Sequence, residues 1–219
     1  MKTNTYISKV AIITIAIILS TGSAFSDELE FSQASIILEH NAVDHDAEIV
    51  VVVKGGDEGL VKLKIFAPDG KSILDVSTEE MIVGLREFSI ESAEPDMANV
   101  IHSYPEGLYS IQGITVSGKK LGASVKFSHK LPGLPKLQLN KKAGQITWSP
   151  VSGATKYMVE LEREIEDKDI MKLRVELPPT IRSFFIPKAF LVPGDYQIGI
   201  LTYGVNGNIT VIEEEFSLH

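Results

Sequence analysis

Acidic residues recur at every second position in a short stretch of the first half of the chain, a spacing that can offer oxygen ligands to a cation. Asp44, Asp46 and Glu48 make up this stretch, and calcium prefers carboxylate oxygens. A twelve-residue calcium loop that began at Asp44 would need glycine at its sixth position and glutamate at its twelfth, where Ile49 and Gly55 stand. The pattern therefore leaves a calcium site of another kind and a solvated turn between strands as alternatives, and it favours the turn.

Other patterns that carry chemistry are weak. His40 and His45 could bind zinc, but the sequence indicates no third ligand. A phosphate-binding loop that ended in Gly70-Lys71 would need glycine at the position of Ile65. The chain has no cysteine, no G-x-S-x-G turn and no H-E-x-x-H pair. Because no nucleophile stands at a recognisable spacing from a base, we expect no catalytic residue, no cofactor and no enzyme.

Lysines are concentrated in the middle of the chain. Residues 107–159 contain eight lysines and no acidic residue: Lys119, Lys120, Lys126, Lys130, Lys136, Lys141, Lys142 and Lys156. They could form a basic face for a polyanionic polymer such as lipopolysaccharide, or they could lie on solvent faces and discourage strand edges from pairing. The second interpretation is favoured, because no aromatic residues alternate with the lysines as a nucleic-acid platform requires.

The first 26 residues have the pattern of a signal peptide. Lys2 and Lys9 are followed by an apolar run over residues 10–19 and by Ala24-Phe25-Ser26, a small-residue cleavage site. The run is about half of what a membrane-spanning helix needs. We therefore predict cleavage after Ser26 and a mature chain without a membrane span. A cysteine-dependent lipid anchor is excluded, since the chain has no cysteine.

Charge and composition narrow the classes of partner. Removing the signal peptide takes away two of 21 basic residues and none of 29 acidic ones, so the net charge changes from −8 to −10. That balance argues against nucleic acid. An exported chain without disulfides must build substantial apolar cores. Together these features predict a bacterial periplasmic or secreted protein.

The mature chain reads as short strands separated by polar turns, which predicts an all-β fold of two tandem immunoglobulin-like β-sandwiches. Residues 49–53 and 60–66 are β-branched runs, and the Ala67-Pro68-Asp69-Gly70 turn predicts a hairpin. The Leu131-Pro132-Gly133-Leu134-Pro135 segment cannot continue a central strand. We therefore predict one sandwich over residues 27–130, a linker over 131–135 and a second sandwich over 136–219.

The second half resembles a fibronectin type III domain. The resemblance rests on Trp148 before a Pro150-containing turn, on Tyr157 at the start of the next strand, and on Tyr196 in an L-x-P-G-x-Y context. It implies a seven-stranded sandwich in which Trp148 and Tyr157 are buried and Tyr196 forms a tyrosine corner. It implies no activity, because the fold serves many functions.

The first half repeats part of this pattern. Tyr109 follows Pro105-Glu106-Gly107-Leu108 as Tyr196 follows its own proline and glycine, so we expect its hydroxyl to bond to the backbone as well. This half is also similar, through its APDG turn and its Glu91–Pro95 stretch, to exported bacterial proteins without an assigned activity. That similarity implies an immunoglobulin-like sandwich and nothing about function.

These observations predict a non-catalytic interaction or scaffold protein of the bacterial envelope that holds an envelope or extracellular protein through sandwich loops or strand edges. The favoured loops are residues 204–208 and 164–170. The alternative is a module that binds a carbohydrate or a polyanionic polymer. Its candidate aromatic side chains are Tyr104, Tyr203, Phe184 and Phe185.

Overall fold

The computed structural model describes residues 29–78, 84–165 and 168–218, with no side chains described for residues 164–171. Within these ranges the chain is almost entirely β-strand, with one short α-helix, and the predicted fold class is confirmed. The predicted signal peptide lies outside the described residues. No helix among the described residues is long and apolar enough to cross a membrane.

The first sandwich comprises eight strands and the helix. Its elements are β1 (Leu29–Glu30), β2 (Gln33–Asn41), β3 (Asp46–Lys54), β4 (Leu60–Phe66), β5 (Ser72–Ser77), β6 (Glu87–Glu91), α1 (Met97–Ser103), β7 (Gly107–Thr115) and β8 (Lys120–Phe127). The predicted hairpin joins β4 to β5: the Gly70 amide donates to the Ala67 carbonyl at 2.9 Å, and Gly70 adopts a φ of 82°. A left-handed φ of this kind favours glycine.

The second sandwich has the seven predicted strands. They are β9 (Leu137–Asn140), β10 (Gln145–Trp148), β11 (Lys156–Ile165), β12 (Lys168–Leu177), β13 (Ser183–Phe185), β14 (Gly194–Tyr203) and β15 (Ile209–Leu218), with a short 3₁₀ turn, Lys188–Phe190, before β14. The segment between β8 and β9 contains no strand and includes residues 131–135. The division of the chain into two domains at this point stays a prediction, because one sheet runs through both sandwiches.

Both sandwiches use the same strand order. In the second, a sheet of order β13-β10-β9 accompanies the four strands β12-β11-β14-β15. In the first, β6-β3-β2 accompanies β5-β4-β7-β8, and β1 adds to the outer edge of β8. One core lies between the sheets of the first sandwich and a second core between those of the second. Apolar residues that alternate along the strands face inward and supply both cores.

The predicted anchors occupy the positions that the resemblance implied. Trp148 and Tyr157 are buried in the second core with their rings 5.6 Å apart in a T-shaped contact. The Tyr196 hydroxyl donates to the Val192 carbonyl at 2.6 Å, and the Tyr109 hydroxyl donates to the Pro105 carbonyl at 3.0 Å. The tyrosine-corner bond is therefore confirmed in both sandwiches.

A helix in the first sandwich was not predicted. In α1, the Asp96 side chain caps the N-terminus by accepting from the Asn99 amide at 3.0 Å, as such caps commonly do. Only Val100 is buried in the seven-residue helix. One buried residue in two turns leaves no apolar periodicity to detect in the sequence.

Candidate functional site

The junction between the sandwiches is a shared β-sheet. Strand β15 of the second sandwich lies parallel to β2 of the first, with Ile209, Thr210 and Val211 opposite Glu39, His40 and Asn41. This pairing makes one seven-stranded sheet of order β12-β11-β14-β15-β2-β3-β6. Because sheet hydrogen bonds and not only a linker join them, the two sandwiches form one body.

A third core lies on the outer face of this shared sheet. On that face, apolar residues of both sandwiches bury one another almost completely: Ile37, Val50, Val52, Met158, Leu201, Tyr203, Ile209 and Val211. The neighbours of these residues along the strands point into the first two cores, since strand side chains alternate between faces. Strand β3 is therefore buried on both faces from Ala47 to Val53. Burial of the third core adds the hydrophobic effect to the hydrogen bonds of the junction.

The loop between β14 and β15 stabilises the junction between the two sandwiches through side-chain hydrogen bonds. Asn208 is 1% exposed, and its amide donates to the carbonyls of Ser128 at 2.7 Å and Lys130 at 3.0 Å. Its side-chain oxygen accepts from the Leu38 amide at 3.0 Å. Asn206 donates to the same Lys130 carbonyl at 2.9 Å. Residues 204–208 are predicted as a partner-binding loop, and that assignment stays a prediction; in the structure their asparagines hold the segment that precedes β9.

In the other predicted loop, residues 164–170, only residues 166 and 167 lie outside the described backbone. The structure places its ends in β11 and β12, and no side chain there is described. Its assignment as a binding loop stays a prediction.

Charged side chains surround the third core. Glu39 and Glu48 lie directly opposite each other on β2 and β3, and Glu48 is only 8% exposed. Within the second sandwich, Arg174 of β12 pairs with Glu160 of β11 at 2.5 Å. The charges on this face come from both sandwiches, although the shared sheet alone brings them together.

Burial governs the pKa values of these carboxyl groups. Desolvation, reinforced by the charge of Glu160, raises the pKa of Glu39 to about 7. Desolvation, reinforced by the charge of Glu39, raises the pKa of Glu48 to about 8. Desolvation also raises the pKa of Glu160, although Arg174 opposes that shift. A carboxyl group that loses water without gaining a sufficient cation favours its neutral form.

The three predicted calcium ligands lie in the β2–β3 turn and at the start of β3. Asp44 is exposed in the turn after β2 and accepts a hydrogen bond from Asn41 at 2.9 Å. Asp46 begins β3, and Glu48 is buried against the third core. No group of three or more histidine, aspartate or glutamate side chains among residues 29–78, 84–165 and 168–218 is placed to hold a metal ion. The stretch forms the β2–β3 turn that the sequence favoured, and whether a metal binds there stays untested.

Several of the predicted basic residues have partners within the chain. Lys119 pairs with Glu58. Lys156 pairs with Glu176 at 2.6 Å and lies over the Tyr203 ring at 4.4 Å. These contacts reduce the charge that the lysine-rich segment offers to a polyanion, and a polyanionic partner stays a prediction.

Phe185 is the most exposed of the four aromatic candidates. It is 61% exposed on β13, whereas Tyr203 is buried in the third core. Tyr104 and Phe184 are partly buried against the first and second cores. Phe185 lies opposite Gln145 in the ladder between β13 and β10. Gln145 is one of the residues that line a groove of about 490 Å³. The others include amide, hydroxyl and lysine side chains: Gln138, Asn140, Lys141, Lys142 and Thr147.

Two strands at sheet edges differ in how well their side chains prevent another strand from pairing with them. Strands β5 and β12 each have a hydrogen-bonded neighbour on one side only within the described chain. The sequence of β12, KDIMKLRVEL, contains three basic residues, and such charges discourage strand addition. The sequence of β5, SILDVS, contains one charge, Asp75, which pairs with Lys64 of β4 at 2.6 Å. The edge of β5 is therefore the less protected of the two.

The described chain thus has an all-β fold of two immunoglobulin-like sandwiches in tandem. No family model matches the chain, and no curated protein matches it. Among solved structures, it is similar to the chicken CNTN1 FN1–FN3 domains, with a TM-score of 0.34, 10% identity and 88% of this chain covered. It is also similar to a tetra-tandem repeat in the extending region of a large adhesion protein, with a TM-score of 0.25, 14% identity and 85% of this chain covered.

This chain spans 65% of the first neighbour and 50% of the second, less than two thirds of either. The strand order of this chain and its own cores define its fold.

Proposed function

We propose that the chain is an exported, non-catalytic interaction protein of the bacterial envelope that holds a protein partner by adding a partner strand to β5. The observation that carries this proposal is the edge of β5, which has a hydrogen-bonded neighbour on one side only among the described residues and carries a single charge. An edge strand has unpaired N–H and C=O groups that can bond to an extended segment of another chain. The joined sandwiches hold that edge in a fixed orientation.

The side chains of β5 support an extended protein segment as the partner. Ile73, Leu74 and Val76 are partly buried, while Ser72, Asp75 and Ser77 are exposed. A partner strand would find apolar side chains partly accessible beside it and polar ones facing solvent. This pattern suits recognition in which the backbone supplies affinity and alternate side chains supply specificity.

The test is photo-crosslinking in cells with a crosslinking amino acid at Asp75, and with Lys126 on β8 as a comparison position. We expect a recurrent protein adduct from Asp75 that does not form from Lys126. Ser77→Lys should weaken that adduct at least tenfold, because a lysine on the free edge opposes strand addition. Ser124→Lys places the same charge on exposed β8 and should leave the adduct unchanged. An adduct that survives Ser77→Lys would remove β5 from the proposal.

The proposed export of the chain is tested by cell fractionation and by determining the N-terminal residue of the mature chain. The envelope fraction should yield a chain that begins at Asp27, as cleavage after Ser26 requires. A chain that retains Lys2 and Lys9 and stays in the cytoplasmic fraction would contradict the envelope assignment.

A second candidate function is polysaccharide binding at the exposed face of β13, β10 and β9. The specific observation in its favour is Phe185 beside the amide-lined groove, because sugars stack on exposed aromatic rings and bond to amides. Phe185→Ala should abolish retention on immobilised envelope polysaccharide. Phe184→Leu on the inward face serves as the matched control, and equal retention of both variants and the parent chain would exclude the Phe185 face.

A further inference from the structure

The three-stranded sheet of the second sandwich presents two rows of side chains on its outer face. Each row crosses β9, β10 and β13: one consists of Asn140, Gln145 and Phe185, and the other of Gln138, Thr147 and Ser183. The residues between them, such as Ile146, point into the second core, since strand side chains alternate between faces. The first sandwich is hydrogen-bonded to the other sheet, through β15, and not to this one.

The first row combines an apolar ring with amide groups. Phe185 is 61% exposed, Asn140 is exposed and Gln145 is half-buried between them in the ladder. Because neighbouring strands lie about 4.8 Å apart, the row is about 10 Å long, which is enough for a disaccharide. Amides both donate and accept hydrogen bonds, as sugar hydroxyl groups require. The row therefore suits a ligand made of sugar rings.

The charge on this sheet is entirely positive. Residues 136–155 and 178–194 contribute its three strands and the adjoining turns, and they contain no acidic residue. The acidic residues of the second sandwich all fall in residues 156–177 and 195–215, which contribute the strands of the other sheet. The basic residues of the three-stranded sheet and its turns are Lys136, Lys141, Lys142, Arg182 and Lys188.

The net charge of the chain, −8, would oppose an anionic ligand if it acted on this face. Packed sheets lie about 10 Å apart, which exceeds the screening length of about 8 Å at physiological ionic strength. The cations of the face therefore dominate the field beside it. Among the described residues, no ion pair involves Lys136, Lys141 or Lys142. Lys141 and Lys142 line the groove beside the first row.

We propose that this face binds a polysaccharide that contains uronic acids, with one sugar ring on Phe185 and the carboxylates on Lys141 and Lys142 in the β9–β10 turn. The inference rests on the second candidate function, polysaccharide binding, and adds the acidic class of the sugar. A uronic acid carries its carboxylate on the ring itself, so one unit can both lie over the amide row and reach the turn. A neutral sugar would leave the lysines unpaired, and an anion without sugar rings would leave Phe185 uncovered.

The test is calorimetric titration of the mature chain with three uronate polymers: polygalacturonate, alginate and hyaluronate. Each is compared with its carboxyl-reduced form, which keeps the sugar rings and loses the charge, and with polyglutamate, which has carboxylates and no sugar rings. We expect at least one uronate polymer to bind at least tenfold more tightly than its reduced form and than polyglutamate. That difference should shrink as salt is added, because exposed charges are screened.

Two pairs of lysine substitutions locate the charge effect. Lys141→Gln/Lys142→Gln should weaken binding of the uronate polymer at least tenfold, to the level of its reduced form. Lys120→Gln/Lys126→Gln on β8 of the first sandwich removes the same charge and should bind like the parent chain. Phe185→Ala should weaken both forms of the polymer. Fluorescence of the buried Trp148 verifies that each variant is folded, and Lys142→Gln alone replaces the pair if the pair fails to fold.

The outcomes separate the acidic class from polysaccharide binding itself. Equal affinity for the uronate and reduced forms, lost in Phe185→Ala, would overturn the acidic class and leave the second candidate function in place. Equal affinity for polyglutamate, or an equal loss in Lys120→Gln/Lys126→Gln, would reduce the interaction to unspecific charge and overturn the proposal. Absence of binding to all three polymers in both forms would overturn the proposal and the second candidate function together.

Discussion

The two sandwiches share a strand order but build it from different side chains. The second sandwich places aromatic residues at its centre, where Trp148 contacts Tyr157 and Tyr196 stacks on Phe216 at 5.1 Å. In the first sandwich, β3 occupies the place of β10 and has no aromatic residue; its core is largely aliphatic. Both sandwiches nevertheless keep the tyrosine corner. A core tryptophan is therefore not required for this strand order.

A second difference concerns the faces that each strand buries. Strand β10 alternates between buried and partly buried residues, as expected for a strand with one face on a core. Strand β3 is buried at every position from Ala47 to Val53, because the second sandwich covers its outer face. The comparison shows that the first sandwich depends on its neighbour for burial, whereas the sheet of β9, β10 and β13 does not.

The largest expected effect comes from core truncation in each sandwich. Leu63→Ala in the first and Ile146→Ala in the second each remove a fully buried side chain and should lower the free energy of unfolding by about 2–5 kcal/mol. Because the shared sheet joins the sandwiches, both variants should lower the midpoint of one common transition in calorimetry at pH 5. Two separate transitions, each sensitive to one variant, would show that the sandwiches are independent.

Breaking the asparagine contacts should have the next largest effect. Asn208→Ala removes two donors and leaves the Leu38 amide in β2 without its acceptor, at a cost of about 3 kcal/mol. Urea denaturation measures this loss. Asn140→Ala removes one exposed side-chain contact to the Ala143 amide and should cost under about 1 kcal/mol. Equal losses for the two variants would contradict a special role for Asn208.

Substituting the glycines that precede Tyr109 and Tyr196 tests whether the two tyrosine corners contribute equally to stability. Gly107 and Gly194 adopt φ values of 147° and 151°, a region that residues with a Cβ avoid. A Cβ at Gly107 would lie 2.7 Å from the Pro68 side chain. Each change to alanine should cost about 2 kcal/mol. Gly199→Ala is the control, since a Cβ there meets only ordinary contacts; thermal unfolding of all three variants gives the comparison.

The tyrosine hydroxyls should contribute the smallest of these effects. Tyr109→Phe and Tyr196→Phe keep the rings and remove the bonds to Pro105 and Val192, which should cost about 1 kcal/mol each. The loss at Tyr196 should be the larger, because its oxygen also accepts from the Val192 amide. Tyr104→Phe is the control for ring substitution. Denaturation curves that rank Tyr104→Phe with the other two would show that the corner bond adds no stability.

Local patterns predicted the strands and both corners. Alternation along β4, the turn at Gly70 and the spacing around Trp148 depend on near neighbours, so one sequence contains the necessary signal. The junction depends instead on contacts such as Ile209 with Glu39, which lie far apart in the chain. One signal was available: the continuous Ile49–Val53 run indicates a strand buried on both faces, and it was interpreted only as a strand.

The functional residues were the hardest to predict. Asn206 and Asn208 look like ordinary loop residues, because nothing local reveals that their amides reach Ser128 and Lys130. The sequence favours a solvated turn for Glu48, with an oxygen ligand as the alternative, since an acidic residue next to a turn is usually solvated. Its burial depends on residues of β2, β6 and the segment after β6, which lie apart from it in the sequence.

The parallel arrangement of β2 and β15 has a mechanical consequence. Tension that pulls residue 33 away from residue 218 acts on these two neighbouring strands in opposite directions along their length. The bonds around residues 39–41 and 209–211 then share the force and must yield together in shear, whereas strands pulled from the same end would peel apart one bond at a time. The geometry thus favours resistance to stretching along the chain.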